Sequence, residues 1–186
     1  MAAQLTRRHF TVDDYYAMLR AGILSADDRV ELIDGEIVEM PPMGPGHAGS
    51  IGSVASLLIR LFGDRAQLRV QCPVRLSRFN EPEPDLALVR ARADWYRTAH
   101  PTPADIFLVI EVSDTTLATD RDTKIPLYAR SGLPEAWILD LQHNLVLVHR
   151  EPTPEGYRLV GTARRGDRLS SLAFPDRDLA VEELLG

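Results

Sequence analysis

Two carboxylates stand where burial should forbid them. Glu111 ends the apolar run Ile106-Phe107-Leu108-Val109-Ile110 and is followed by Val112; a buried carboxylate is costly unless it is paired or bound to a cation. Asp85 opens the stretch Leu86-Ala87-Leu88-Val89 directly after Pro84. If the two stretches are neighbouring strands, their acidic ends meet at one edge of a sheet. Like charges repel there, and a hard divalent cation relieves them. Mg²⁺ suits such a place, taking one or two carboxylates at about 2.0–2.1 Å together with water and a substrate phosphate. Mn²⁺ shares that preference for oxygen ligands and can substitute. The plainer alternatives are a turn aspartate at Pro84-Asp85 and a strand-end glutamate that reaches solvent.

A third candidate comes from composition. Of the 21 basic residues, 20 are arginine and one is lysine, Lys124. Arginine is a permanently charged fork, whereas lysine is a compact amine that can approach a single oxygen. A site that needs an ammonium as a point charge would resist replacement by arginine; chance survival of one lysine, or an ordinary Glu111–Lys124 ion pair, is the alternative. Lys124 follows Glu111 on a helix returning across the sheet, where Leu117, Arg121, Lys124 and Tyr128 share a face by their spacing. Two carboxylates, a divalent cation and one ammonium together meet the needs of phosphodiester hydrolysis, in which negative charge builds on phosphorus-bound oxygens.

The elements that must position these groups are legible as follows. Thr11 to Arg20 reads as a helix, with Thr11 and Asp14 at capping-box spacing. Arg29 to Met40 reads as a hairpin around Asp34-Gly35. Pro41, Pro42, Gly44, Pro45 and Gly46 form a loop, and His47 to Phe62 is helical by period. Gly49 and Gly52 each cost that helix about 1 kcal/mol relative to alanine, which points to close packing there. Strands follow at Gln67–Cys72, Val74–Ser77 and Asp85–Val89, then a short helix at Ala93–Thr98. Ile106–Val112 reads as a central strand covered on both faces. Thr116–Arg130 is helical with a kink or late start at Pro126. Ala136–Leu141 and Leu145–Arg150 form a hairpin, followed by a strand at Tyr157–Val160 and a terminal helix near Val181–Leu185. The pattern is a mixed sheet with helices on its faces, an α/β (α+β) fold.

With 186 residues, 45% apolar and 26% charged, the chain suits one domain over residues 1–186, burying roughly 70% of its extended surface. The single Cys72 allows no internal disulfide or thiolate metal cluster and suits a reducing cytoplasm. No charged-then-apolar leader opens the chain, which speaks against secretion, and no apolar run is long enough for a bilayer. A net charge of −6 counts against a protein that simply coats DNA, yet is compatible with a local acidic metal site. Arg65, Arg69, Arg75 and Arg78 form one basic stretch, and Arg158, Arg164, Arg165 and Arg168 another; they could meet phosphates or be solvated strand edges. His143 and His149 lack metal-ligand spacing with any other ligand, and Ser50, Ser53 and Ser56 have no evident base.

Several segments together resemble one family: Glu83-Pro84-Asp85-Leu86, Leu108-Val109-Ile110-Glu111-Val112-Ser113, Lys124 with Tyr128-Ala129 and Gly132, and Glu135-Ala136-Trp137-Ile138-Leu139-Asp140. Glu31-Leu32-Ile33-Asp34-Gly35-Glu36 and His47 after the proline-rich loop extend the likeness, which runs from about Arg29 to Arg150. The sequence looks like the Uma family of restriction-endonuclease-like proteins, in the PD-(D/E)XK nuclease superfamily. The resemblance implies a restriction-endonuclease-like core of helix, three-stranded meander, helix and strand, preceded by the N-terminal hairpin, with metal at the sheet edge. The Pro-Asp half of its motif falls on Pro84-Asp85 and the acidic half on Glu111. Ser113 stands where the superfamily's standard form has lysine, and the resemblance implies that the lysine has moved to Lys124. Ser113-Asp114-Thr115-Thr116 also lacks the proline usual in the family.

Glu31 is a further candidate for a metal or water contact, and His47 for a phosphate contact at a helix start; a strand-edge acid and a capping histidine are the equal alternatives. These expectations describe a Mg²⁺-dependent endonuclease acting on DNA along the arginine patches, with Asp85 and Glu111 as ligands and Lys124 positioning water. A homodimer would supply two sites for two strands, with the small-residue helix face against its twin. The rivals are an inactive nuclease-fold binding module and a phosphatase for small phosphates.

Overall fold

The computed structural model describes residues 7–25 and 27–186. Helix α1 (Val12–Arg20) starts as its spacing predicts: the Asp14 N–H donates to Thr11 Oγ1 at 3.1 Å, and the Thr11 N–H donates to Asp14 Oδ2 at 2.9 Å. The Val12 N–H donates to the Arg78 carbonyl, which ties this end to a loop below the sheet edge. Thr11→Ala should therefore lower stability by about 1 kcal/mol in a urea melt; an unmoved midpoint would show that the cap carries no weight.

Strands β1 (Val30–Ile33) and β2 (Glu36–Glu39) form the expected hairpin. Asp34 and Gly35 take φ of 51° and 75°, the doubly left-handed turn that joins twisted strands. Gly35 is required for a second reason, since a Cβ there would lie 2.5 Å from the His9 Cβ. Helix α2 (Pro45–Phe62) begins at the Gly44 cap with proline in its first turn, where a missing N–H costs nothing.

Six strands make the main sheet, in the order β3 (Ala66–Val70), β4 (Leu86–Arg90), β5 (Ile106–Ser113), β6 (Glu135–Asp140), β7 (Leu145–Thr153) and β8 (Gly156–Arg164). Only β5 and β6 run parallel; the other neighbours are antiparallel. The connection between β5 and β6 holds α3 (Leu117–Thr119), a π-helical turn (Asp120–Lys124) and α4 (Ile125–Arg130). Strands β9 (Arg168–Ser170) and β10 (Asp178–Ala180) pair apart from the main sheet, and α5 (Val181–Leu185) closes the chain. The two faces of the sheet carry separate cores. Leu86, Leu88, Leu108, Ile110 and Trp137 pack beneath α2 and α5, while Ala87, Val89, Val109 and Ile138 pack against α4 and the hairpin. Helix, three-stranded meander, helix and strand thus follow one another in the expected order, as α2, β3–β4–β5, α3–α4 and β6.

Four expectations need correction. Val74–Ser77 is not a strand: the Val74 N–H donates to the Pro82 carbonyl, the Arg75 N–H to that of Pro101 and the Leu76 and Ser77 N–H groups to that of Asn80, with one isolated bridge between Ser77 and Asn80. Pro73, Pro82 and Pro84 break the ladder that a strand there would need. Ala93–Thr98 is not a helix, because Asp94 gathers Arg92, the Tyr96 N–H and Thr98 Oγ1, which gives the backbone a local alternative to helix; Trp95 and Tyr96 turn left-handed instead. Gly49 and Gly52 are not closely packed: a Cβ at either would meet no atom of another element within 4 Å among the described residues. Strand β8 is longer than the four residues Tyr157–Val160, and the β9–β10 pair was not foreseen.

Candidate active site

Register brings the two acids together. Leu86 pairs with Ile110 and Ala87 with Val109, so the next step of the same antiparallel ladder sets Asp85 opposite Glu111. Side chains alternate across a strand, and both acids therefore fall on the face of Ala87 and Val109, toward α4. The backbone closes the arrangement: the Asp85 N–H donates to Glu111 Oε2 at 3.3 Å, and the Val112 N–H donates to Asp85 Oδ2 at 2.9 Å. Asp85 Oδ1 is held by His47 Nε2 at 3.2 Å and by the Gln71 amide at 3.4 Å. His47 comes from the first turn of α2. The hydrogen bond to Asp85 raises its pKa, against the pull of burial, with Asp120 and Asp114 adding to the rise.

Lys124 reaches the site through an irregular turn. The Ile125 N–H bonds back five residues to the Asp120 carbonyl, so one extra residue enters the helix just before Pro126, where the expected kink lies. The insertion breaks the face anticipated for Leu117, Arg121, Lys124 and Tyr128. Arg121 turns outward to pair with Asp122, while Lys124 and Tyr128 are buried. Lys124 Nζ lies 3.4 Å from Glu31 Oε2, 3.6 Å from Glu111 Oε1 and 3.4 Å from the Glu83 carbonyl. Glu31, on β1, also accepts the Glu83 N–H at 3.0 Å. The hairpin thus docks its acid on the segment that leads through Asp85 into β4.

The charges are unbalanced. Burial alone lowers the Lys124 pKa, but Glu111, Glu31, Asp120 and Asp85 together raise it above its ordinary value; this ammonium keeps its proton and cannot serve as a base. Burial drives the Glu111 carboxyl well above the usual range, Lys124 opposes it, and Asp120 and Asp85 push further in the same direction. Tyr128 donates its hydroxyl to Glu111 Oε1 at 2.5 Å. Glu31, Asp85, Glu111, Asp120 and Lys124 line a cleft of about 440 Å³, together with the proline-rich loop from Met40 to Gly44.

Asp85, Glu111, Lys124, Glu31 and His47, picked out separately in the sequence, all line this one cleft. Asp120, Glu83 and Gln71 line it too and were missed as site residues. Asp120 accepts from Ser113 Oγ and Thr116 Oγ1, both at 2.7 Å; its signal was the four-residue spacing to Lys124. Ser113, in the position of the standard lysine, is thereby turned to Asp120. None of the arginines of the two stretches is among the residues that line the cleft. Arg29 and Lys124 are the lysine and arginine residues of the lining, while Arg65, Arg75, Arg158 and Arg168 are taken up by Asp176, Glu81, Glu151 and Asp178.

Residues 12–182 match the Uma2 family, described as "Putative restriction endonuclease". The chain belongs to the Uma2 family. Its fold is shared with the crystal structure of a putative nuclease belonging to DUF820 from Anabaena variabilis ATCC 29413. That likeness has a TM-score of 0.69 at 16% identity and covers 95% of this chain and 97% of the other. No curated protein matches the sequence. No described helix is long and apolar enough to cross a membrane.

Restriction-endonuclease-like proteins generally use divalent metal ions, and the donor set of this Uma2 protein fits one. No three of the described His, Cys, Asp and Glu side chains are already gathered into a cage, which Mg²⁺ does not need, since it binds through one or two carboxylates and keeps several waters. Glu31, Asp85, Glu111 and Asp120 face one buried ammonium across the cleft. Their excess of negative charge, with the Glu111 carboxyl raised by burial, is what a hard cation between Asp85 and Glu111 would relieve.

Proposed function

We propose that this Uma2 protein is a Mg²⁺-dependent endonuclease that hydrolyses DNA phosphodiester bonds, with Mn²⁺ able to replace Mg²⁺. The observation that carries the reading is the meeting of Asp85, Glu111 and the lone lysine at one sheet edge. Asp85 and Glu111 are assigned as the metal ligands; the bound cation would supply positive charge to the phosphate and lower the pKa of a bound water. Lys124, protonated throughout, donates to the attacking water or to a phosphate oxygen and balances the charge that builds there. As the water oxygen bonds to phosphorus, the bond to the departing sugar oxygen breaks. We assign Glu31 to receive the proton the water gives up, and the sugar oxygen takes up a proton from solvent. His47 is assigned to the phosphate, which the N–H groups at the start of α2 also favour.

Supercoiled plasmid should be nicked when Mg²⁺ or Mn²⁺ is added and left intact in chelator, with nucleotide monophosphates untouched. Full nicking by Asp85→Ala would remove the assigned ligand. A separate readout needs no turnover. Mg²⁺ at about one hundred times its dissociation constant stabilises a folded-state site by about 2.7 kcal/mol, which for a chain of this size raises the melting temperature by roughly 5–10 °C. Asp85→Ala should lose that rise, and a rise that persists would place the cation elsewhere.

A further inference from the structure

Trp95 is the largest apolar side chain left in solvent among the described residues, 62% exposed. Tryptophan is highly buried in most folds, because its large apolar surface is costly to leave in water. The turn that carries it is firmly held. Trp95 and Tyr96 follow one another in the left-handed region, at φ of 54° and 57°, a conformation that residues other than glycine rarely adopt. Asp94 pairs with Arg92 through both oxygens, at 2.9 and 2.7 Å, and accepts the Tyr96 N–H and the Thr98 hydroxyl. The Trp95 N–H donates back to the Arg92 carbonyl. The turn buries Tyr96, whose hydroxyl donates to the Arg90 carbonyl, and leaves the Trp95 side chain outside.

The neighbours of this turn are positive. Arg69 and Arg92 lie over the Tyr96 ring, 5.9 and 4.6 Å from its centre, and Arg69 Nη1 donates to the Trp95 carbonyl at 3.5 Å. Asp94 engages Arg92, but no described carboxylate pairs with Arg69 or with the exposed Arg97, and Arg69 Nε has no hydrogen-bond partner. This surplus of positive charge sits in a chain of net charge −6. An open aromatic side chain beside unpaired guanidinium groups has the chemistry that holds an unpaired nucleic-acid strand: the cations follow the phosphates and the ring stacks on a base. A duplex keeps its base faces inside the stack. The place in the fold suits a strand that also uses the cleft. Strand β3 is the outer strand of the main sheet, and its Arg69 pairs with Ala87, two residues from Asp85 and on the same face. Gln71, two residues beyond Arg69, lines the cleft.

We infer that Trp95 is a stacking platform for an unpaired base of a DNA strand, with Arg69 and Arg97 on its phosphates and the cleft taking a phosphate further along the same strand. The inference rests on the nuclease reading for its ligand and adds to it a preference for DNA with unpaired bases. Supercoiled plasmid meets that need where its duplex opens. Base identity matters little, because every base has a face to stack.

The test is tryptophan emission, with the full chain in chelator so that no cleavage intervenes. Trp137 is fully buried with its indole N–H on Glu135, so a change on adding DNA reports Trp95. Short single strands of thymine or of adenine should both quench the emission to saturation. A strand of the same length without bases should bind through its phosphates and leave the emission unmoved. No quenching by either single strand, or equal quenching by the strand without bases, overturns the proposal. Trp95→Ala should weaken single-strand binding, read by anisotropy of a labelled strand, about ten-fold. Arg97→Ala should reduce the slope of log affinity against log salt by about 0.7. An unchanged affinity in Trp95→Ala also overturns the proposal and leaves this surface to a protein partner. If Trp95→Ala fails to fold, the wild-type quenching series decides alone. Quenching without plasmid nicking keeps the platform and removes the nuclease reading; nicking without quenching does the reverse.

Discussion

Lys124→Arg should lower the rate of plasmid nicking by about 10²–10³-fold, the usual cost of removing one preorganised donor at a site of developing charge. The substitution keeps the positive charge, so the loss isolates the shape of the amine. Nζ is enclosed by Glu31, Glu111 and the Glu83 carbonyl at 3.4–3.6 Å, a spacing set for a compact head with three donors. A guanidinium needs more room and binds carboxylates through two parallel bonds. It would clamp Glu31 or Glu111 and take an oxygen away from the cation or the water. Lys124→Ala should lose a comparable amount, by removing the charge altogether. The measurement is the initial nicking rate at saturating Mg²⁺, beside a thermal melt that shows both variants folded. An arginine variant within tenfold of wild type would mean that charge suffices and the single lysine is an accident of composition.

Much of the cleft was legible because burial makes acids conspicuous. Glu111 interrupts an apolar strand, and Asp85 begins another, so their placement could be read from the cost of burying charge. Strand alternation and antiparallel register then do the rest. Lys124 was legible through its rarity and through the family resemblance, but its path into the site was not. The expected helical face would have carried Arg121 inward as well. The π-helical turn at Asp120–Lys124 separates the two, and spacing arithmetic based on 3.6 residues per turn cannot see an inserted residue.

The segments that were misread share a different cause. Val74–Ser77 and Ala93–Thr98 have acceptable strand and helix compositions, yet their hydrogen bonds go to other loops or to one aspartate. Such competition is decided by partners distant in sequence or by side-chain geometry, neither of which periodicity records. Gly49 and Gly52 are a further case: the penalty was readable, but the structure shows no close contact in return. The arginine stretches read as candidate phosphate contacts because the acids that engage Arg65, Arg75, Arg158 and Arg168 lie outside the stretches themselves, at Asp176, Glu81, Glu151 and Asp178.

Glu135 tests whether a buried acid is functional merely by being buried. It opens Ala136-Trp137-Ile138-Leu139 as Asp85 opens its own strand, and it is 0% exposed, but every oxygen is engaged. Oε1 accepts Arg150 Nε at 2.7 Å and Trp137 Nε1 at 2.9 Å, and Oε2 accepts Ser171 Oγ at 2.9 Å and the Leu172 N–H at 2.8 Å. Nothing is left over for a ligand, and the acid instead pins the segment after β9 to the start of β6. Glu135→Ala should therefore destabilise the fold by about 3–5 kcal/mol, because it strands the Arg150 charge and three further donors. Guanidinium denaturation measures it, and a loss under about 1 kcal/mol would show that solvent replaces the carboxylate freely. Replacing both partners, Glu135→Leu with Arg150→Met, should recover only the part of the loss that comes from the stranded charge, since the Trp137, Ser171 and Leu172 donors still lack their acceptor. The corresponding experiment at the cleft has the opposite sign for function. There, Glu111 is raised by burial and Asp85 and Asp120 crowd it, so an apolar replacement would relieve the fold while removing the group to which the cation is assigned.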